Sequence, residues 1–173
     1  MRIYIVGYMY SGKTKVGLRL ARRLGYGFID LDAAFEERYK ISIPDFFVRY
    51  DEKAFRIIEH DMLLSTADFD NYVVATGGGT PCFHSNMDFI LDNGLSIFLD
   101  ASESIVLSRR ASAKKTRPLL EKMGPEELRA FVSRQLAERR VFYERADMRF
   151  DAENVAVEEI CEAVRSKMLQ MLN

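Results

Sequence analysis

The stretch GYMYSGKT, Gly7 to Thr14, constrains this chain more than any other part of it. It follows the apolar run Ile3 to Val6 and precedes Lys15 to Gly25, whose apolar residues recur at helical spacing. Gly-x-x-x-x-Gly-Lys-Thr between a strand and a helix is a phosphate-binding loop. Successive backbone N–H groups in such a loop form an anion cradle, and the helix N-terminus behind it adds positive potential. Lys13 is expected to reach the outer phosphates of ATP and the Thr14 hydroxyl to ligate Mg²⁺. The expected nucleotide contacts are Gly7, Tyr10, Ser11, Gly12, Lys13, Thr14 and Lys15. Tyr8, Met9 and Tyr10 crowd the middle of the loop, and the pattern tolerates them if their side chains point outward while their amides face the ligand.

Behind the loop the chain alternates. β-rich runs occur at 2–6, 27–30, 72–76, 95–100 and 148–151, and helix-period segments lie near 13–24, 33–40, 51–67, 84–92, 102–111, 125–146 and 154–172. Gly25 and Gly94 stand where helix C-caps are expected. Strand–helix alternation implies right-handed crossovers and a parallel sheet covered on both faces, which binds ligands at the carboxyl ends of its strands. The 173 residues are read as one domain, 1–173, with a substrate-binding segment at about 32–62 and a lid at about 112–124.

Charge and length narrow the function. Twenty-five basic against 26 acidic side chains leave a net charge of −1, which argues against a general nucleic-acid or anionic-membrane binder. No apolar stretch reaches the roughly 18 residues of a membrane span, so a cytoplasmic location is expected. Cys82 and Cys161, 79 positions apart, read as two buried or half-buried thiols, and neither a disulfide scaffold nor a zinc site is supported. His60 and His84 are isolated in the sequence. A guanine-nucleotide switch would carry an Asn-Lys-x-Asp segment, absent here, and a motor or helicase a longer chain. A small phosphotransferase acting on a small molecule remains.

Its acceptor side is also readable. FIDLD sets Asp30 and Asp32 at the end of the second strand, with side chains expected to diverge, one toward a metal and one toward a substrate. Asp32 also suits a helix N-cap. Arg56 sits on a helix whose Phe55, Ile58 and Met62 make an apolar stripe. Gly77, Gly78 and Gly79 follow a buried strand directly and permit close approach of backbone to a ligand. Arg109, Arg110, Lys114, Lys115 and Arg117 form a basic run suited to covering a triphosphate.

In this order and spacing, Gly7–Thr14, FIDLD, FRIIE, GGGTP and TRPLL resemble the shikimate kinases from residue 2 to about 151. The resemblance implies a nucleoside-monophosphate-kinase-like P-loop α/β fold, a five-stranded parallel sheet of order 2-3-1-4-5 with helices on both faces. It also implies ATP-dependent phosphorylation of the 3-hydroxyl of shikimate, a step toward aromatic amino acids, by a monomer. By matching position, Asp32 would hold the substrate hydroxyls and guide the reacting proton. Asp30 would sit near Mg²⁺ through water. Arg56 and Arg139 would clamp the carboxylate, with Arg140 the alternative to Arg139 if the helix register slips, and amides near Gly77, Gly78 and Gly79 would contact ring hydroxyls. Arg117 would reach the transferring phosphate and Arg110 would lie against adenine. Two departures stand out: many members have glycine where this chain has Tyr10, and many have a proline after the last strand where this one has none. A gluconate-type kinase, a nucleoside monophosphate kinase and a nucleotide-binding regulatory module without turnover are the competing readings.

Overall fold

The computed structural model describes residues 1–113 and 123–171. Arg117, Lys114, Lys115 and most of the expected lid fall outside the described residues.

Five strands, β1 (Arg2–Val6), β2 (Gly27–Asp30), β3 (Tyr72–Ala75), β4 (Leu95–Asp100) and β5 (Met148–Asp151), form one sheet in the order β2-β3-β1-β4-β5. Each neighbouring pair is parallel. The cause is legible in β1, where both sets of alternating residues are apolar and 0% exposed: Ile3 and Ile5 face one side, Tyr4 and Val6 the other. A strand buried on both faces belongs inside a parallel sheet with helices above and below.

The helices comply. Among the described residues they are α1 (Lys13–Leu24), α2 (Leu31–Tyr39), α3 (Ile43–Arg49), α4 (Glu52–Ser65), α5 (Asn86–Asn93), α6 (Glu103–Ala111), α7 (Pro125–Tyr143) and α8 (Val157–Met171). Leu20 and Ala21 of α1 pack with Ile160 and Val164 of α8 over Ile3, Ile5 and Leu99. On the opposite face Met87 and Ile90 of α5, Val106 of α6, and Val132 and Tyr143 of α7 pack over Tyr4, Val6 and Phe98. A third, smaller core of Phe35, Phe46, Phe55 and Met62 holds α2, α3 and α4 together. Phe35 is its centre, edge-on to Phe46 at 5.2 Å and to Phe55 at 5.0 Å. A fully buried ring of this kind contributes about 1.5–3 kcal/mol, so these three helices carry an anchor of their own beside the sheet. Among the described residues no helix is long and apolar enough to cross a membrane.

Two local expectations change. Gly25 is the left-handed C-cap of α1, with φ 70° and its N–H bonded to the Ala21 carbonyl. Gly94, by contrast, is extended, and a Cβ there would lie 2.5 Å from the Arg2 carbonyl oxygen. Space, not handedness, demands that glycine. Helix α3 has no counterpart in the sequence reading, because Pro44 and β-branched neighbours hid it. Its signal was local: Ser42 caps it by accepting from the Asp45 amide, with Pro44 in the first turn, where proline lacks no needed bond.

Candidate active site

The phosphate loop leaves the central strand β1 and enters α1, so the cradle opens at the carboxyl edge of the sheet. Lys13 is buried, and its ammonium donates to the carbonyls of Gly7 and Tyr8, 2.8 Å each. Those carbonyls hold the cation at the loop. Ser11 is 1% exposed, and its hydroxyl has no hydrogen-bond partner among the described residues. Lys15 is exposed in the first turn of α1.

The bulky residues do not point outward as expected. Tyr8 is 1% and Met9 8% exposed, both inside the core beneath α7. The Tyr8 hydroxyl donates to Gln135 Oε1 at 2.6 Å, fixing the loop to that helix. Tyr10 is half-buried against the same core and adopts φ 62°, a left-handed conformation that suits glycine better than tyrosine. Arg109 supports it from behind. Its guanidinium donates to the carbonyls of Tyr10 and Ser11, 3.0 Å each, and to that of Ala152 at 2.8 Å. The sequence reading set Arg109 in the basic run suited to covering a triphosphate; here it ties the phosphate loop to the segment after β5. Arg110, half-buried, lies in the last turn of the same helix.

The two aspartates part company because the chain changes conformation between them. On one continuous strand, positions 30 and 32 would share a face. Here β2 ends at Asp30 and α2 starts at Leu31. Asp30, not Asp32, is the N-cap: its carboxylate accepts from the Ala33 amide at 3.1 Å. The other oxygen of Asp30 accepts from the Thr14 hydroxyl, which brings two hard oxygen donors to the mouth of the loop. Asp32 lies in the first helical turn, where the N-terminal dipole favours a carboxylate.

What gathers these parts is the triplet Gly77-Gly78-Gly79. A Cβ on Gly77 would sit 2.6 Å from Asp32 Oδ1 and 3.0 Å from Glu59 Oε1. One on Gly78 would sit 3.2 Å from the Met9 amide nitrogen and 3.7 Å from the Arg139 guanidinium. One on Gly79 would sit 2.5 Å from the Arg56 guanidinium. Each glycine therefore yields its space to a different wall of one site. Tyr143 of α7, fully buried, donates its hydroxyl to the Gly78 carbonyl and holds the turn in place.

Arg56 is 7% exposed, far from the solvated surface residue that a lone arginine on a helix suggests. It donates to Glu59 Oε2 at 2.7 Å and to Glu52 Oε1 at 2.9 Å, and its guanidinium lies 4.2 Å over the Phe83 ring. Burial works against its charge, but the two carboxylates more than offset that, and its pKa is raised. Glu59 also accepts from the Thr80 hydroxyl at 2.6 Å, linking α4 to the glycine turn. The register of α7 is unambiguous. Arg139 faces Gly78 and the Tyr8 ring, at 5.7 Å. Arg140 instead bonds Asp100 at 2.8 and 3.1 Å and Glu144 at 2.7 Å, and those bonds raise its pKa.

Cys82 follows the turn and is half-buried. Burial pushes its thiol up from 9.0 to about 11, although Arg139 and Arg56 pull the other way. The raised value fixes the sign of a pH effect. The stability associated with this thiol is complete below the unfolded value near 9 and is lost as pH rises toward 11, because only the unfolded chain ionises early. In a Cys161→Ser background, the alkylation rate of Cys82 by iodoacetamide should inflect near pH 11 in the folded protein and near 9 in urea. An inflection below 9 in the folded protein would show the thiol to be in a more polar setting than this.

Both histidines, isolated in the sequence, meet in the fold. Their ring centroids are 5.3 Å apart.

Comparison with known proteins adds a family. The family model described as Shikimate kinase matches residues 9–169. A protein named shikimate kinase from Parabacteroides distasonis is 40% identical over 171 residues, covering 99% of each chain. The crystal structure of shikimate kinase from Bacteroides thetaiotaomicron superposes with a TM-score of 0.90 at 35% identity, covering 97% of this chain and 98% of that one. That of the Acinetobacter baumannii shikimate kinase, in complex with shikimate, superposes at 0.83 with 30% identity, covering 98% of this chain and 93% of that one.

Proposed function

The chain belongs to the shikimate kinase family, and we propose that its Gly77–Gly79 turn is where the acceptor is held against the phosphate loop. The enzyme transfers a phosphoryl group from ATP to shikimate, giving shikimate 3-phosphate and ADP. One observation carries the assignment of residues: a carboxylate, two arginines and a phosphate-loop amide, from four separate elements, converge on three consecutive glycines. A polyhydroxylated ring acid needs acceptors for its hydroxyls and guanidinium donors for its carboxylate, and this set supplies both.

In this reading Arg56 and Arg139 take the carboxylate, Asp32 accepts from the ring hydroxyl that will attack, and the amides of Gly77, Gly78 and Gly79 fix the ring. Lys13 leaves the Gly7 and Tyr8 carbonyls for the transferring phosphoryl group. Arg117 covers that group and Arg110 lies against adenine, both on motif position alone. Thr14 and Asp30 are oxygen donors of the kind Mg²⁺ takes and fit that ion, with Asp30 acting through water. When bound there, Mg²⁺ supplies neutralisation of phosphate charge. Phosphoryl transfer needs alignment and electrostatic cover more than a strong base, which is why the site spends two arginines and a lysine on position. A cytoplasmic monomer acting on small molecules, without nucleic acid or membrane, accompanies this reading.

Coupled ADP release with MgATP and a panel of shikimate, gluconate and nucleoside monophosphates tests the function. Turnover confined to shikimate is expected; turnover with gluconate or a monophosphate alone would overturn it. A pair of variants tests the site. Arg139→Ala should raise the shikimate KM with little change for ATP. Because Arg56 remains, the loss should fall at the lower end of the about 2–5 kcal/mol typical of an unpaired buried charge. Arg140→Ala should weaken the fold and leave the shikimate KM alone. The opposite pattern would exchange their roles.

A further inference from the structure

We propose that His60 and His84 together form a two-imidazole site for a borderline divalent transition metal such as Zn²⁺, Co²⁺ or Ni²⁺. Three observations converge on it. The first is separation. A tetrahedral Zn–N bond of about 2.0–2.1 Å places the metal about 3.2 Å from each ring centre, so two rings sharing one metal have centres about 5.2 Å apart. The observed separation is 5.3 Å, with the ring planes tilted by 42°.

The second is the tautomer. Asn86 is 0% exposed, and its Nδ2 donates to the Thr80 carbonyl at 2.8 Å, which fixes the orientation of the amide. Its Oδ1 therefore faces His60 Nδ1, 2.6 Å away. An amide oxygen only accepts, so Nδ1 carries a proton, and the tautomer that binds a metal through Nε2 is the one this contact selects. Metal-binding histidines are oriented in this way, with the remote ring N–H donated to an oxygen.

The third is the backbone. His84 and Ser85 are consecutive non-glycine residues in the left-handed region, at φ 50° and 55°. That turn brings an exposed histidine back over α4, where His60 is half-buried. Neutral imidazole suits zinc, cobalt and nickel, whereas hard Mg²⁺ prefers oxygen. Among the described residues no cluster of three or more His, Cys, Asp or Glu could hold a metal, so water would complete the coordination. A metal here would join α4 to the segment after the glycine turn. Its two ligands are the chain neighbours of Glu59 and Phe83, two of the groups that hold Arg56.

The test uses the untagged full chain after EDTA treatment and dialysis. Titration with Co²⁺, followed by visible absorption, should show one ion bound per chain, without the intense near-ultraviolet band of thiolate ligation. Ni²⁺ should raise the thermal midpoint. His60→Ala and His84→Ala should each weaken Co²⁺ binding on the order of tenfold or more and abolish the Ni²⁺ shift, while Cys82→Ser changes neither. His84 is exposed, so its variant should fold normally even if that of His60 is destabilised. No Co²⁺ uptake by the wild type, a thiolate band, or undiminished binding by His84→Ala would each overturn the proposal.

Discussion

Replacing Lys13 with alanine should leave a folded protein whose kcat falls by about two to three orders of magnitude. The ammonium is the buried cation nearest the phosphate cradle, held by the Gly7 and Tyr8 carbonyls. Removing a single preorganised donor to charge that develops in the transition state costs about 3–4 kcal/mol. The fold should survive, because Leu20 and Ala21 pack α1 against the sheet whatever stands at position 13. Circular dichroism would establish folding, and a coupled ADP assay the rate. Retention of more than about a tenth of wild-type kcat would contradict the role given to the loop.

Asp32→Asn should show an effect as large for a different reason. The substitution keeps size and hydrogen bonding but removes the charge and most of the ability to take a proton, and a general base typically contributes about 10²–10⁴-fold. The structure makes this a cleaner test than the sequence allowed. The cap of α2 is Asp30, so altering Asp32 does not undo the cap. The variant should bind MgATP as the wild type does, measured by calorimetry, and phosphorylate shikimate 10²–10⁴ times more slowly. Wild-type turnover would move the acceptor site away from Asp32.

The strands were open to reading because most of them are short apolar runs ending where chemistry begins, while their order in the sheet was an expectation from the family resemblance alone. The glycine triplet was legible for the same reason as the strands. What stayed hidden depends on three-dimensional neighbours. Nothing in GYMYSGKT says that Tyr8 and Met9 turn into the core, since α7, which receives them, lies more than a hundred residues away. Arg109 and Arg110 are adjacent members of one basic run, and only the helix register separates the one that braces the loop from its neighbour. His60 and His84 stand 24 positions apart, outside any metal-ligand spacing, until the left-handed turn at 84 and 85 folds one onto the other. Glu59 could have been found earlier: three residues after Arg56 on a helix, it is a natural ion-pair partner.

The double pairing of Arg56 bears on how the enzyme treats the many simple carboxylic acids in a cell. This arginine is already balanced by Glu59, 5% exposed, and by Glu52, which is more than half exposed and free to swing aside. A passing acetate or lactate can offer only what Glu52 already provides. A ligand displaces it profitably when hydroxyls on the same rigid ring reach Asp32 and the glycine turn at the same moment. If Arg56 takes the carboxylate as proposed, Glu52 is an internal rival that sets a threshold, and anions that meet only part of the pattern should bind poorly.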